Sequence, residues 1–340
     1  MKWPDRKITP TITILLTIFL AIIFAFIIYL VFVTALINPW LENNQRELCV
    51  LNFYSHNIST NTPKIYFIGT SQIKEGIDCY IIENDLNSLN KSFACYNLAV
   101  NADSPLRRLT ELNSIIKTKP DIVIIGTQFN EIYQGADIED SRLMLLSNKI
   151  ILDNTSSELF DTKQLGLLNL NPIVRDISNR IYIISYLNYI TINKLFPNSV
   201  ADYEYRNNFK NPYKNVNNLS TEEKMDKINQ SPLVNNSKIA EYYGNTTQKL
   251  ALKHIIEELR LNNITVIVIN MPVDPLKSES ISNSTRNNYF SYLDSMGVIY
   301  YDFETRYPSN YFHDITHMNA QGRNVFSHDI AKIINREVGI

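Results

Sequence analysis

Glycine is scarce in this sequence, nine in 340 residues, which disfavours Gly-rich phosphate loops and collagen-like repeats. Cysteine is rarer still. Cys49, Cys79 and Cys95 are the only three, with no CxxC pair and no His/Cys cluster, so the sequence shows no zinc signature and no metal site is expected. A basic excess is missing: 32 Lys and Arg stand against 34 Asp and Glu, a formal net charge of −2. No nucleic-acid partner is therefore expected. Hydrophobic residues make up 45% of the chain and charged residues 19%, which excludes wholesale disorder. No internal repeat is evident. Asparagine, by contrast, is abundant at 41. The length allows one large domain or two small ones.

Charge is absent over residues 8–41, between Lys7 and Glu42. Inside that gap, residues 12–37 form a run of apolar residues broken only by Thr and Tyr. A span needs about 20 such residues, and no polar stripe marks a soluble core helix. Lys2, Arg6 and Lys7 precede the run and Glu42 and Glu47 follow it. The positive-inside rule puts the tail in the cytoplasm and the rest outside. The division expected is a cytoplasmic tail over 1–10, a transmembrane helix over 11–37, a membrane-proximal linker over 38–62 and a folded domain over 63–340. A cleaved signal peptide is the alternative, with Val33-Thr34-Ala35 as its site, but the apolar core is longer than the roughly 7–15 residues of a signal. Asn-x-Ser/Thr acceptors, among them Asn57, Asn90, Asn154, Asn218, Asn235, Asn245, Asn263 and Asn283, fit an exterior glycoprotein, though this composition yields several by chance. Cys79 and Cys95 are a possible disulfide in that setting; three unpaired thiols are the alternative.

Beyond the linker the pattern alternates. Strands are expected at 64–68, 96–100, 121–125, 265–269 and 298–302. Ser104-Pro105 opens a helix running to about Thr118, ended by Pro120. Leu252, Ile255, Ile256 and Leu259 mark a second helix, and Asn319 to about Arg336 closes the chain. Alternation of this kind implies a parallel sheet covered by helices on both faces. Residues 131–237 interrupt it, too long for a plain crossover. They read as an insertion, part helix and part Asn-rich loop, shaping a lid or cleft.

In open α/β sheets ligands bind beyond the carboxyl ends of the strands. Four polar segments stand there: Gly69-Thr-Ser-Gln72, Asn101-Ala-Asp-Ser104, Gly126-Thr-Gln-Phe-Asn-Glu131 and His313-Asp-Ile-Thr-His-Met-Asn319. A nucleophilic serine needs a base, an orienter for that base and donors to the oxyanion. Ser71 begins a helix directly after a strand. His317 is the candidate base, and Asp314, three residues earlier, can reach its ring. The Ser71 and Ala102 backbone N–H groups and the Asn130 side chain are candidate oxyanion donors, with Gln128 as rival to Asn130. Alone, Gly-Thr-Ser reads as well as a helix N-cap, and Asp-x-x-His as a solvated turn; their order, each after its strand, singles them out. His254 and His328 fall on helices and read as structural. His313 lacks a carboxylate three residues upstream. Arg107 and Arg108 could attract an anionic substrate or form a solvated helix face. The tyrosine clusters at 203–205 and 242–243 could stack on sugars or simply pack.

These blocks resemble the SGNH hydrolases, also called GDSL-type esterases. That family has a nucleophilic Ser after the first strand, a Gly backbone donor after the second, an Asn after the third and a late Asp-x-x-His. Gly69-Thr-Ser71, Asn97…Ala102, Gly126…Asn130-Glu131 and Asp314-Ile-Thr-His317 match in order over about residues 64–336. Three positions depart from it: Thr70 replaces an Asp, Ala102 replaces the Gly, and Gln128 competes with Asn130. The resemblance implies a three-layer α/β/α sandwich with a five-stranded parallel, flavodoxin-like sheet, and no cofactor. It implies a membrane-anchored extracytoplasmic serine esterase or O-acyltransferase acting on acyl, typically acetyl, esters of cell-surface carbohydrate or lipid. The layout is similar to anchored envelope-modifying members such as the D-alanyl transfer protein of lipoteichoic acid. Two other readings stay open. One is a non-catalytic surface domain of the same fold binding glycan or a protein partner. The other is an anchored subunit that recruits a partner through its insertion.

Overall fold

Alternation along the strands decides the layers. The computed structural model describes residues 10–32, 35, 46–56, 62–129, 132, 143, 146, 150, 152–170, 174–175, 208–213, 215–230 and 247–338. Five parallel strands form one sheet: β1 (Lys64–Gly69), β2 (Ala94–Asn97), β3 (Ile122–Thr127), β4 (Thr265–Asn270) and β5 (Ile299–Asp302), in the order β2-β1-β3-β4-β5. Successive side chains point to opposite faces. Tyr66, Ile68, Val123, Ile125, Val266 and Val268 therefore enter one core, and Ile65, Phe67, Ile122, Ile124, Ile267 and Ile269 enter the other. This is the expected three-layer sandwich, with expected strands displaced by at most a few residues.

The labelled helices are α1 (Pro10–Phe32), α2 (Arg46–His56), α3 (Ser71–Gly76), α4 (Cys79–Ser88), α5 (Pro105–Lys117), α6 (Thr221–Gln230), α7 (Thr247–Leu261), α8 (Asn283–Ser295) and α9 (Ala320–Glu337). Helices α2, α5, α7 and α8 cover the first core, and α3, α4 and α9 the second. Local chemistry sets their starts. The Ser104 hydroxyl accepts from Arg107 N (3.3 Å) with Pro105 at the first helical position, and Asn319 Oδ1 accepts from Gly322 N (3.0 Å). These two boundaries match the sequence signals.

Helix α1 is long and apolar enough to cross a membrane, and its large side chains are exposed, Leu15 at 62% and Phe24 at 65%. The stretch expected as a linker differs from expectation. Its residues 46–56 form α2, which buries Leu48, Val50, Leu51, Phe53 and Tyr54 in the first core. The polar start of α2 disguised this. Arg46 is buried because its guanidinium donates to the carbonyls of Ala99 and Asn208 (both 3.2 Å), and Glu47 because it pairs with Arg107 (2.8 Å). Burial pulls the Arg46 guanidinium down to about 10.

Cys79 and Cys95 are free thiols in the second core, as Cys49 is in the first layer's α2. They pack as small apolar side chains, and burial raises the first two. Within the insertion, the described residues include short helices at Asn154–Glu158 and Thr162–Leu168, an irregular piece at 208–213, and α6. The irregular piece meets the outer edge of β2, where Asn97 N donates to Phe209 O (2.7 Å) and Lys210 Nζ to Cys95 O (2.8 Å). That blunts an edge open to pairing with another chain.

Candidate active site

The site begins with two glycines in register. Gly69 of β1 pairs with Gly126 of β3. Gly69 has φ +145°, and a Cβ there would lie 2.5 Å from the Gly126 carbonyl oxygen. A Cβ on Gly126 would lie 2.0 Å from Ile73 Cγ1. Two of the nine glycines thus let α3 settle directly on the sheet. Thr70 caps α3, its hydroxyl accepting from Gln72 N at 3.4 Å. Ser71 then stands as the first helical residue at the end of β1.

The last strand leads to a loop held by an antiparallel bridge between Phe312 and Met318 and by His313 N donating to His317 O (3.0 Å). The loop brings His317 to Ser71: Nε2 and Oγ are 2.7 Å apart. The other ring nitrogen, Nδ1, lies 3.1 and 3.0 Å from the two Asp314 oxygens. Asp314 Oδ1 also accepts from the backbone N–H of Thr316 (2.8 Å) and His317 (2.7 Å). Ser71, His317 and Asp314 therefore come together, 246 residues apart in sequence at the Ser–His contact.

Electrostatics at the three groups are set by contact. Burial alone would raise the Asp314 carboxyl; the His317 ring and the two backbone N–H groups hold it far below the ordinary range. Burial would lower His317. The Asp314 bond and charge, with the Glu75 carboxylate, outweigh it, so the imidazole sits above its ordinary 6.5. Lys227 Nζ, from α6 of the insertion, stands 3.7 Å from Asp314 Oδ2.

Ala102 occupies the turn after β2 with φ +50°. A left-handed conformation costs a residue with a Cβ about 1–2 kcal/mol, which gives a backbone reason for glycine at that point in the resembling family. Lys74 Nζ on α3 donates to Asn101 Oδ1 (3.3 Å), so this turn lies beside the Ser71 helix. The Gln128 amide nitrogen is buried and donates to Met271 O (3.3 Å) at the end of β4. Asn130 and Glu131, like the tyrosine clusters at 203–205 and 242–243, lie outside the described residues.

Arg107 and Arg108 do not form a solvated helix face. They are 2% and 3% exposed. Arg107 pairs with Glu47, and Arg108 with Asp103 and Glu111 (2.6 Å to the latter). Buried guanidinium is tolerated here because each fork is matched by carboxylate. His254 meets Asp153 (3.2 Å) and His328 meets Asp85 (2.6 Å), both away from Ser71, as expected of structural histidines.

Several contributors carried no local sequence signal. Gln72 Nε2 donates to Thr316 O (3.1 Å) and fastens α3 to the histidine loop. Lys224 of α6 is buried, its Nζ donating to Asp274 Oδ2 (2.8 Å), Ser309 O (3.0 Å), Ser309 Oγ (3.2 Å) and Phe312 O (3.0 Å). Leu219 N adds a bond to His313 O (2.7 Å). The insertion thus returns to brace the loop that carries His317. Glu75 and His313 form a further pair beside the Ser71–His317 contact, with 3.1 Å between Oε2 and Nε2.

A family profile without a functional description matches residues 175–339, under half of the chain. No curated protein matches the chain in sequence. Among solved structures, the chain is similar to a lipase/acylhydrolase from Enterococcus faecalis, at 13% identity over 81% of this chain and 97% of that one, with a TM-score of 0.41. A GDSL-like lipase from Bacteroides thetaiotaomicron is similar at 10% identity, 85% and 98% coverage and a TM-score of 0.35. A variant of an acetyl-xylooligosaccharide esterase from Geobacillus is similar at 11% identity, 84% and 97% coverage and a TM-score of 0.37. At these identities and scores the likeness concerns general layout, and the reading of the site rests on its own geometry.

Proposed function

We propose that this chain is a serine esterase or O-acyltransferase, anchored by α1 with its domain outside the cytoplasm. It would act on small acyl esters, acetyl foremost, of cell-surface carbohydrate or lipid. The observation that carries the reading is the unbroken contact from Ser71 Oγ through His317 to Asp314, 2.7 Å on one side of the ring and 3.0 Å on the other.

In this reading Ser71 Oγ attacks the ester carbonyl carbon while its proton passes to His317 Nε2. The tetrahedral oxyanion is met by the backbone N–H groups of Ser71 and Ala102 and by Asn130. Collapse breaks the bond to the leaving alkoxide, which takes the proton from Nε2 and departs as the alcohol. Water or a second alcohol then repeats the sequence on the acyl-enzyme, giving hydrolysis or transfer. Asp314 keeps the proton of neutral His317 on Nδ1, so that Nε2 can accept. Beside the start of α9 an open surface depression is lined by Asn215, Asn217, Gln321 and the mutually bonded Asn218 and Asn319; its exposed amides are of the kind that sugar hydroxyls can use as donors and acceptors.

The test is covalent. Full-length protein in detergent is treated with a fluorophosphonate and read by intact mass, with Ser71→Ala at matched folding. A single adduct that maps to Ser71 and vanishes in the variant is the expected result. A well-folded wild type that takes no adduct sinks the reading and turns attention to glycan or partner binding.

The raised His317 adds a pH signature. The base must be neutral, so labelling is expected to be slow in acid and to climb to a plateau once pH exceeds a value above 6.5. The sign follows from the protonated ring being unable to accept a proton. Labelling rates across about pH 5 to 8 in chelator-treated buffer check it, and a flat or falling profile contradicts the assignment of His317 as base.

A further inference from the structure

Ser71 and Glu75 are one helical turn apart on α3, so their side chains share a face. Opposite them, the bridged loop presents His317 and His313, also four residues apart. Two rungs result. Ser71 meets His317 at 2.7 Å, and Glu75 meets His313 at 3.1 Å. The two imidazoles stack with centroids 5.6 Å apart and planes 9° from parallel. The acyl-transfer scheme uses only the first rung.

The second rung has its own chemistry. One ligand-capable atom each from Glu75, His313 and His317 lie within 4.8 Å of one another. Two imidazole nitrogens and one carboxylate are the donor set that zinc takes in open three-ligand sites, with a fourth position left for water. A metal-binding histidine usually has its second nitrogen held by a carboxylate. His317 already has this arrangement, since Nδ1 faces Asp314 and Nε2 points to the α3 side. The Glu75 carboxylate already faces the His313 ring, with Oε2 3.1 Å from Nε2.

From this juxtaposition we infer that Glu75, His313 and His317 bind a zinc-class divalent ion, and that the ion silences the site. Binding places the lone pair of His317 Nε2 on the metal. Ser71 keeps its proton and loses its acceptor, and no covalent bond to carbon changes. The ion is a reversible blocker, not a resident cofactor. The binding half rests on the cluster alone; the silencing half rests on the esterase reading.

The experiment uses tag-free full-length protein in detergent, stripped with chelator, and zinc as the probe. Calorimetry is expected to show one saturable ion per chain. Loss of even an outer-shell partner costs roughly 10–100-fold in metal affinity, so Glu75→Gln and His313→Gln should each weaken zinc by at least about tenfold. His328→Ala, a histidine on α9 away from the cluster, should leave affinity unchanged. In wild type, zinc should slow fluorophosphonate labelling and chelator should restore it. Circular dichroism checks the fold, and agreement between the two variants guards against one failing locally. Absence of saturable zinc binding overturns the inference, as does binding that both variants leave intact. Zinc that binds, depends on Glu75 and His313, yet leaves labelling unslowed overturns the silencing half. If zinc-free wild type takes no label, the esterase reading fails while calorimetry still decides the metal site.

Discussion

Asp314→Asn is expected to reduce acyl transfer by about 10⁴-fold while leaving the fold intact, because replacing a triad carboxylate by its amide costs about that much. The reason is local. Both Asp314 oxygens lie within 3.1 Å of His317 Nδ1, and Oδ1 also accepts from the Thr316 and His317 N–H groups. An amide can keep the backbone bonds through its oxygen. It then turns its NH₂ toward Nδ1, which forces the ring proton onto Nε2. That tautomer cannot accept from Ser71. The measurement is kcat on a small acetyl ester together with the labelling rate. A loss under about tenfold would show that another group holds the Nδ1 proton, and the Thr316 hydroxyl, 3.0 Å from Nδ1, would take that role.

The second large effect is on stability and comes from the insertion. Lys224→Met is expected to destabilise the folded chain by about 3 kcal/mol, the lower end of what breaking a buried ion pair costs. The Lys224 side chain is 5% exposed and that of Asp274 is fully buried at 0%. Among the described residues, removing the ammonium leaves the Asp274 carboxylate with Ser309 Oγ (2.6 Å) and Leu276 N (2.9 Å) as partners. It also strips Ser309 O and Phe312 O of a donor at the root of the histidine loop. Activity should therefore fall alongside the urea midpoint. Asp274→Asn in the Lys224→Met background should recover part of the loss by removing the uncompensated charge. An unchanged midpoint in Lys224→Met would show that α6 does not brace the loop.

The strands were legible because their residues alternate between two buried faces, which demands a near-continuous apolar run. Ile122–Thr127 reads that way unaided, and both its faces are buried. Helix starts at Pro105 and Ala320 were legible because capping is a contact between near neighbours. Helix α2 was not. Its burial depends on Glu47 meeting Arg107, sixty residues away, and Arg46 meeting carbonyls on two other segments. The same long-range pairing hid the setting of Arg107, whose charge alone suggested solvent or substrate, while Arg108 is buried against its near neighbours Asp103 and Glu111. The cysteines illustrate the converse: thiol chemistry permits a disulfide, while Cys79 and Cys95 are packed free in the second core.

At the site, the three groups Ser71, Asp314 and His317 could be nominated from order and spacing, because each follows a strand end and Asp-x-x-His closes within one turn. Their distances could not. The Ser71–His317 contact spans 246 positions and exists only because β1 and the loop after β5 end on the same edge of one sheet. Glu75 and His313 show the limit most sharply. Each is an unremarkable polar residue in its own segment, and no metal spacing joins them along the chain. What the sequence determined by itself is the apolar N-terminal run, the parallel β/α order and the chemistry available at the strand ends, since these follow from local composition and period. What only the tertiary structure decided is which distant charges neutralise one another, how the insertion returns to hold the histidine loop, and that a carboxylate and two imidazoles face one another. Those outcomes depend on which segments the closing of the sheet brings within hydrogen-bond reach.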